Sequence, residues 1–483
     1  MKFQGSRSFT APNVVVVILL LGFSYAIKAQ SPTDESVRAE MNRQILEFYD
    51  QGKYQEALPL AEKLVLLTRR AKGDRDRETA TRLSNLAEIY KALGQYTKAE
   101  PLYKEALEIR QKIFGREHSI TAISLDNLAL LYLATGDFAQ AEPLSKEALE
   151  IRQKIFGPEH PVTASSLNDL AWLYLAMGKY AEAEPLCKKA LEIRQKVLGR
   201  ENPVTAISLN NLAFLYQATG EYTKAEPLYK EALEINQKNF GREHPYTATS
   251  LTNLAVLYWA MGEYAKAEPF DKEALQIRQK VFGSDHPETA TSLNNLAVLY
   301  QAMGEYAKAE PLDKEALEID QKVLGREHPL TATSLDNLAD LYQAMGSYAQ
   351  AEPLYKEALE IRQKVLGRQR HDTAASLNNL AMLYLAMGDY AKAEPLYKEA
   401  LETNQQILGR EHPLTAVSLN NLAFAYKKIG AYAQAEPLYK EALQVCRGGL
   451  GPEHPSTATS LNNLALLYRM MGDNARAEPL YKG

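Results

Sequence analysis

Cysteine and tryptophan are nearly missing from this chain, with two of each among 483 residues. A framework of several disulfides is therefore excluded. Basic charge is also short: Lys and Arg total 55 against 60 Asp and Glu, a net charge of −5. Gripping a phosphate backbone needs clustered Lys and Arg, so nucleic acid is a poor candidate partner. The chain carries no glycine-rich phosphate loop, no HExxH and no GxSxG. Nothing asks for a nucleotide, a catalytic zinc or an activated serine, and neither an enzyme nor a cofactor is expected. No apolar run reaches the ~20 residues of a membrane-spanning helix. The longest, Val14 to Ile27, is broken only by Gly22 and Ser24. It follows the basic Lys2 and Arg7 and precedes the small Ala29. That is the pattern of an export signal, residues 1–29, cut after Ala29. The expected location is periplasmic or secreted; an uncleaved N-terminal anchor is the alternative. Residues 30–37 are expected to be a short disordered N-terminus.

A fixed period fills the rest. Asn-Leu-Ala, or Asp-Leu-Ala once, recurs from Asn85 through Asn127, Asp169, Asn211, Asn253, Asn295, Asn337, Asn379, Asn421 and Asn463, always 42 residues apart. Glycines from Gly94 to Gly472 and prolines from Pro101 to Pro479 keep the same step. Gly52, Pro59 and Gly73 fall in register. A degenerate first repeat therefore occupies 38–79, and ten clear repeats occupy 80–483. Cys187 and Cys446 lie six units apart and should not meet, so both are expected to be free thiols.

Pro203 to Gly241 shows what one unit encodes. Leu209, Leu212, Ala213 and Tyr216 follow i, i+3, i+4, i+7, which marks one apolar helix face. Pro203 suits the helix start, and Gly220 suits a left-handed C-terminal cap. Ala225, Leu228, Tyr229, Ala232 and Leu233 open a second helix, which ends at Gly241. Pro227 sits about one turn inside it. Glu226 with Lys230, and Glu234 with Lys238, are i, i+4 pairs that mark a solvated convex face. One such hairpin cannot bury both apolar faces; stacked hairpins can, which makes the fold an all-α solenoid of antiparallel helix pairs.

These residues resemble a known family. Leu209, Leu212, Ala213, Tyr216, Ala225, Tyr229 and Ala232 match the spacing of the tetratricopeptide repeat. The 42-residue length with SLNNLA, AEPLYKEALEI and LGREHP looks like the kinesin light chain variant. The resemblance implies a right-handed superhelix whose first helices line a concave groove that binds a peptide or partner protein. It implies no motor, because the heptad segment joining such light chains to one is absent. The slot of Tyr229 departs from the family: it holds Ser145, Cys187, Asp271 and Asp313 elsewhere. An unpaired buried aspartate is costly, so that slot is expected to be half exposed. The last unit stops at Gly483, about two turns into its second helix. That leaves open a frayed end or a longer parent, for instance a bacterial signalling or effector protein whose sensor array this is.

Each helical residue advances about 100°. The second asparagine of SLNNLA then points away from the core, into the groove, and the first sits on a flank. Asn127, Asn211, Asn253, Asn295, Asn337, Asn379 and Asn421 would form an amide ladder able to give and accept hydrogen bonds along an extended peptide. The competing role is to bond adjacent helices and hold the repeats in register. The first slot varies (Ser84, Asp126, Asn168, Thr252, Asp336), so a solvated flank is expected there. Leu130, Trp172, Phe214, Val256 and Val298 share one inner slot, with Trp259 nearby. Trp172, Phe214 and Trp259 suggest an aromatic docking patch, with packing between neighbouring first helices as the alternative. Basic residues on this face, Lys91, Lys427, Lys428 and Arg469, lie near the ends. Seven of the eight histidines keep the period, mostly before a proline. They are expected to serve loops and helix starts rather than metal, for which repeats stand too far apart. The expected partner is an unidentified protein or peptide, and the chain is expected to be monomeric.

Overall fold

A computed structural model describes residues 34–368 and 370–482. The expected export signal lies outside these residues. Among them, no helix is long and apolar enough to cross a membrane.

The described residues form twenty-two helices in eleven antiparallel pairs, with no strand. Pairs 1 to 11 begin at Asp34, Arg77, Ser119, Pro161, Pro203, Pro245, Pro287, Pro329, His371, Pro413 and Pro455. The first two helix starts thus precede the boundaries expected at 38 and 80 by three or four residues. In pair 5 the first helix is Pro203–Ala218 and the second Tyr222–Phe240. Leu209, Leu212, Ala213 and Tyr216 are buried, as are Ala225, Tyr229 and Ala232. Gly220 takes φ +76°, the left-handed conformation that its cap position requires. Each apolar stripe closes against the neighbouring pair, giving the continuous core of an α-solenoid.

First helices of successive pairs touch one another along the array, whereas second helices make no comparable contact among the described residues. The first helices therefore line the inside of the curve. On the outside, Lys230 pairs with Glu226 at 2.6 Å. Lys238 reaches back to Glu201 at 2.6 Å instead of to Glu234. The same lysine joins the preceding loop in Lys154–Glu117 and Lys280–Glu243. Tyrosines add a second inter-pair tie: Tyr258 Oη donates to Glu226 at 2.8 Å, and Tyr300 to Glu268 at 3.0 Å.

Two expectations about polar slots are corrected. The Tyr229 slot is buried even where it is polar: Ser145, Cys187, Asp271 and Asp313 are all sequestered between helices. Burial pushes the Asp271 carboxyl up to about 7, so the acid is accommodated by favouring its neutral form. The first-asparagine slot is not a solvated flank. Ser84, Asn168, Asp336 and Asn378 are buried, and the amides reach into the next pair. Asn168 Nδ2 donates to Ser208 Oγ at 2.9 Å, Asn294 to Ser334 at 2.8 Å and Asn420 to Ser460 at 3.0 Å. A second-helix residue meets the same serine: Arg110 donates to Ser124 at 2.7 Å, Arg194 to Ser208 at 2.9 Å and Asn404 to Ser418 at 2.9 Å. Where the slot holds an acid, an arginine compensates, as in Arg152–Asp126 and Arg362–Asp336. Register between pairs is thus held by a buried polar ladder as well as by apolar contact.

The array also curls back on itself. The turn inside pair 1 meets the start of pair 7, and the turns of pairs 2 to 5 meet the starts of pairs 8 to 11. A methyl group on Gly94 would stand 2.6 Å from Pro329 Cδ, and one on Gly178 2.8 Å from Pro413 Cδ. The periodic histidines make this junction. Each of His118, His160, His244, His286, His328, His412 and His454 accepts a backbone N–H of its own helix through Nδ1, which caps the helix start. In the upper turn the other nitrogen is used too. His328 Nε2 lies 2.9 Å from the Ala92 carbonyl, and His454 Nε2 3.0 Å from that of Ala218. With Nδ1 accepting, Nε2 carries the proton and donates. The expected helix-start role holds, and a fastening of superhelical turns is added to it.

Candidate peptide-binding groove

The inner wall is built from one face of each first helix. In pairs 7 to 10, Gln301, Asp340, Gln343, Met382, Phe424 and Lys428 line a concavity of about 620 Å³. Asp340, Met382 and Phe424 continue the slot of Trp172 and Phe214. Asn337 and Asn379 lie three residues before Asp340 and Met382, on the same helix face. The amide ladder therefore borders this wall. Asn127, Asn211, Asn253, Asn295, Asn337 and Asn421 are half-buried, and Asn379 is buried. Among the described residues, no protein hydrogen bond engages these seven side-chain amides. The register-holding hydrogen bonds belong to the first asparagines.

Trp172 and Phe214 lie on neighbouring helices with ring centroids 5.0 Å apart, tilted at 44°. Both are half-buried against the core, and so is Trp259. The two neighbouring rings therefore pack on each other while keeping part of their surface on the inner face. A concavity of about 620 Å³ lies further along, in pairs 7 to 10, and was missed from sequence. The signal was present: the slot of Leu130, Trp172, Phe214, Val256 and Val298, followed further, gives Asp340, Met382 and Phe424.

Charge on the wall is local. Asp169, the acid that replaces an asparagine of the ladder, has its carboxyl pushed up to about 7 by burial and by nearby Asp126. Arg194 is brought down to about 10, chiefly by burial. Lys91 is tied to Glu88 at 2.7 Å. Lys427 is buried with its ammonium 4.8 Å from the Phe424 ring centre, and burial lowers its pKa. Lys428 is exposed and borders the concavity. The middle of the wall is thus amide and apolar rather than cationic.

The tetratricopeptide repeat model matches in overlapping windows: 45–112, 78–154, 120–196, 173–238, 204–280, 246–321, 288–364, 372–448 and 419–482. A second tetratricopeptide repeat model matches 337–406. The chain belongs to the tetratricopeptide repeat family. No curated protein matches it. Among solved structures, one similar chain is the putative kinesin light chain of Podosopora anserina with nearly identical TPR-like repeats. It is 32% identical over 43% of this chain and 98% of that one, with a TM-score of 0.36. BtubC (BKLC) from P. vanneervenii is 28% identical over 48% of this chain and 92% of that one, TM-score 0.40. A Rap protein complexed with competence and sporulation factor is 15% identical over 77% of this chain and 99% of that one, TM-score 0.51. At that identity the last likeness concerns the fold alone. As a tetratricopeptide repeat protein, the chain has the character of a protein-interaction scaffold.

Proposed function

We propose that this protein binds an extended peptide, or an extended segment of a partner protein, along the inner wall of its superhelix. The observation that carries the reading is the pairing state of the two asparagines. The first is consumed by the buried ladder. The second presents amides that no protein group among the described residues engages, at regular intervals beside an apolar wall. An extended backbone offers carbonyls and N–H groups to such a ladder, and Trp172, Phe214, Trp259, Met382 and Phe424 supply apolar contact. Affinity would come from backbone hydrogen bonds, with sequence preference set by the aromatic and methionine slots. We further propose, from the export signal expected in residues 1–29, that this binding takes place outside the cytoplasm.

The test is a cross-linking pull-down with the chain beginning at Gln30, repeated with Asn127, Asn211, Asn253, Asn295, Asn337, Asn379 and Asn421 changed to alanine. Partner recovery should fall at least tenfold while the helical circular dichroism is kept. Equal recovery by a folded alanine variant would remove the ladder from the binding surface.

A further inference from the structure

The junction between superhelical turns uses two complementary edges, and each edge has unused copies. Within the chain, the turns of pairs 1 to 5 receive the helix starts of pairs 7 to 11. The turns of pairs 6 to 11 form an upper rim. There a methyl group on Gly262, Gly304, Gly346, Gly388, Gly430 or Gly472 would meet nothing within 4 Å. The helix starts of the early pairs, with His118, His160 and His244, form the matching lower rim. Parts of both rims expose apolar side chains whose equivalents in the junction are buried or half-buried. At the helix end before the turn, Leu93 is 7% exposed in the junction, whereas Met387 is 44% exposed on the upper rim. At the start of the second helix, Phe138 is 7% exposed and Tyr390 39%. Met345, Ile429 and Met471 complete the exposed upper row. On the lower side, Leu324 is buried in the junction, where its carbonyl accepts from Gln55 Nε2 at 3.2 Å. Its equivalents Phe156 and Phe240 are exposed, and so are Val162 and Val204.

We propose that this protein stacks head to tail on a second copy of itself, the upper rim of one copy seating the lower rim of the next. The occupant is named by continuity with the junction already inside the chain. A turn accepts the helix start six pairs further on. Counting past pair 11 into a following copy, the Gly346 turn receives His118, the Gly388 turn receives His160 and the Gly472 turn receives His244. The methionine row would cover, on the next copy, helix starts equivalent to those that Leu93 and its neighbours cover internally. The contact joins unlike surfaces and does not close, so it propagates as a rod that prolongs the inner wall. This departs from the monomer expected from the sequence and does not depend on the groove reading.

Sedimentation velocity and light scattering of the chain beginning at Gln30 over a concentration series test the proposal. Two folded variants accompany it: Met345→Lys with Met387→Lys on the upper rim, and Val162→Lys with Val204→Lys on the lower. The unmodified chain should gain mass with concentration, to about twofold and beyond. Each variant should stay at monomer mass. An equimolar mixture of the two should stop at about twofold, because only one sound joint can form. Monomer mass for the unmodified chain at every concentration would overturn the proposal. So would association that survives both variants, or assemblies larger than dimers in the mixture.

Discussion

Alanine at Gly220 and alanine at Gly346 should have different costs, although the two glycines are locally alike. Both follow a first helix and both have φ +76°. Both donate to the carbonyl three residues back, Gly220 to Gln217 at 3.1 Å and Gly346 to Gln343 at 3.0 Å. A β-carbon in this left-handed conformation costs about 1–2 kcal/mol at either site. Beyond that the sites diverge. Within a single copy the new methyl at Gly346 meets open space, so the comparison is made at a concentration where the chain is monomeric; at Gly220 it would stand 2.8 Å from Pro455 Cδ and 3.2 Å from His454 Cδ2. Overpacking adds about 1–3 kcal/mol. Opening the junction instead loses the His454–Ala218 hydrogen bond, worth about 0.5–1.5 kcal/mol. Gly220→Ala should therefore lower the urea midpoint more than Gly346→Ala by the equivalent of at least ~1 kcal/mol, or lengthen the particle in small-angle scattering. Equal midpoints with superimposable scattering curves would refute contact between superhelical turns in solution.

Acid should loosen the same junction. Burial holds the His328 and His412 imidazoles down to about 4, below their ordinary 6.5. The separated state then takes up more protons, so the junction is at full strength above about pH 6.5 and is lost as pH falls through 4. The ceiling is about 3 kcal/mol per histidine, and a longer particle at pH 4 than at pH 7 in scattering checks it. Asp271 and Asp320, raised to about 7 by burial, act in the opposite sense, weakening their helices as pH rises from 4 to 7. For that reason particle length, not total stability, is the readout. Asp336→Ala strands the buried Arg362 and should cost about 3 kcal/mol or more, whereas Lys364→Ala, which breaks the exposed pair with Glu327, should cost under about 1 kcal/mol; denaturation midpoints decide between them. Trp172→Ala combined with Trp259→Ala should weaken partner binding at least about tenfold in a folded protein, as read by titration calorimetry. Unchanged affinity would remove the aromatic residues from the site.

Helix pairs, core stripes and caps were legible because each follows from spacing within one unit. Pro203 and Gly220 mark helix ends by their own backbone chemistry. Residues whose surroundings come from another helix were not legible. Variation at Asp126, Asn168 and Asp336 looked like exposure, but each has a buried partner: Asp126 and Asp336 meet Arg152 and Arg362 on the second helix of their own pair, and Asn168 meets Ser208 of the next pair. Asp271 and Asp313 looked too polar for burial, yet burial shifts the Asp271 carboxyl toward its neutral form. The junction between turns is more remote still. It joins residues 236 apart, a separation fixed by a small rotation per pair accumulated over six pairs, and a 42-residue period carries no trace of that sum. For the same reason the histidines showed their capping role and hid their fastening one.

The inner wall is tested most directly by placing a photo-cross-linking residue at Asn253 and, separately, at Lys230 on the outer face. The partner should form a covalent adduct from position 253 and none from position 230. Adducts from position 230, with none from position 253, would contradict binding inside the superhelix.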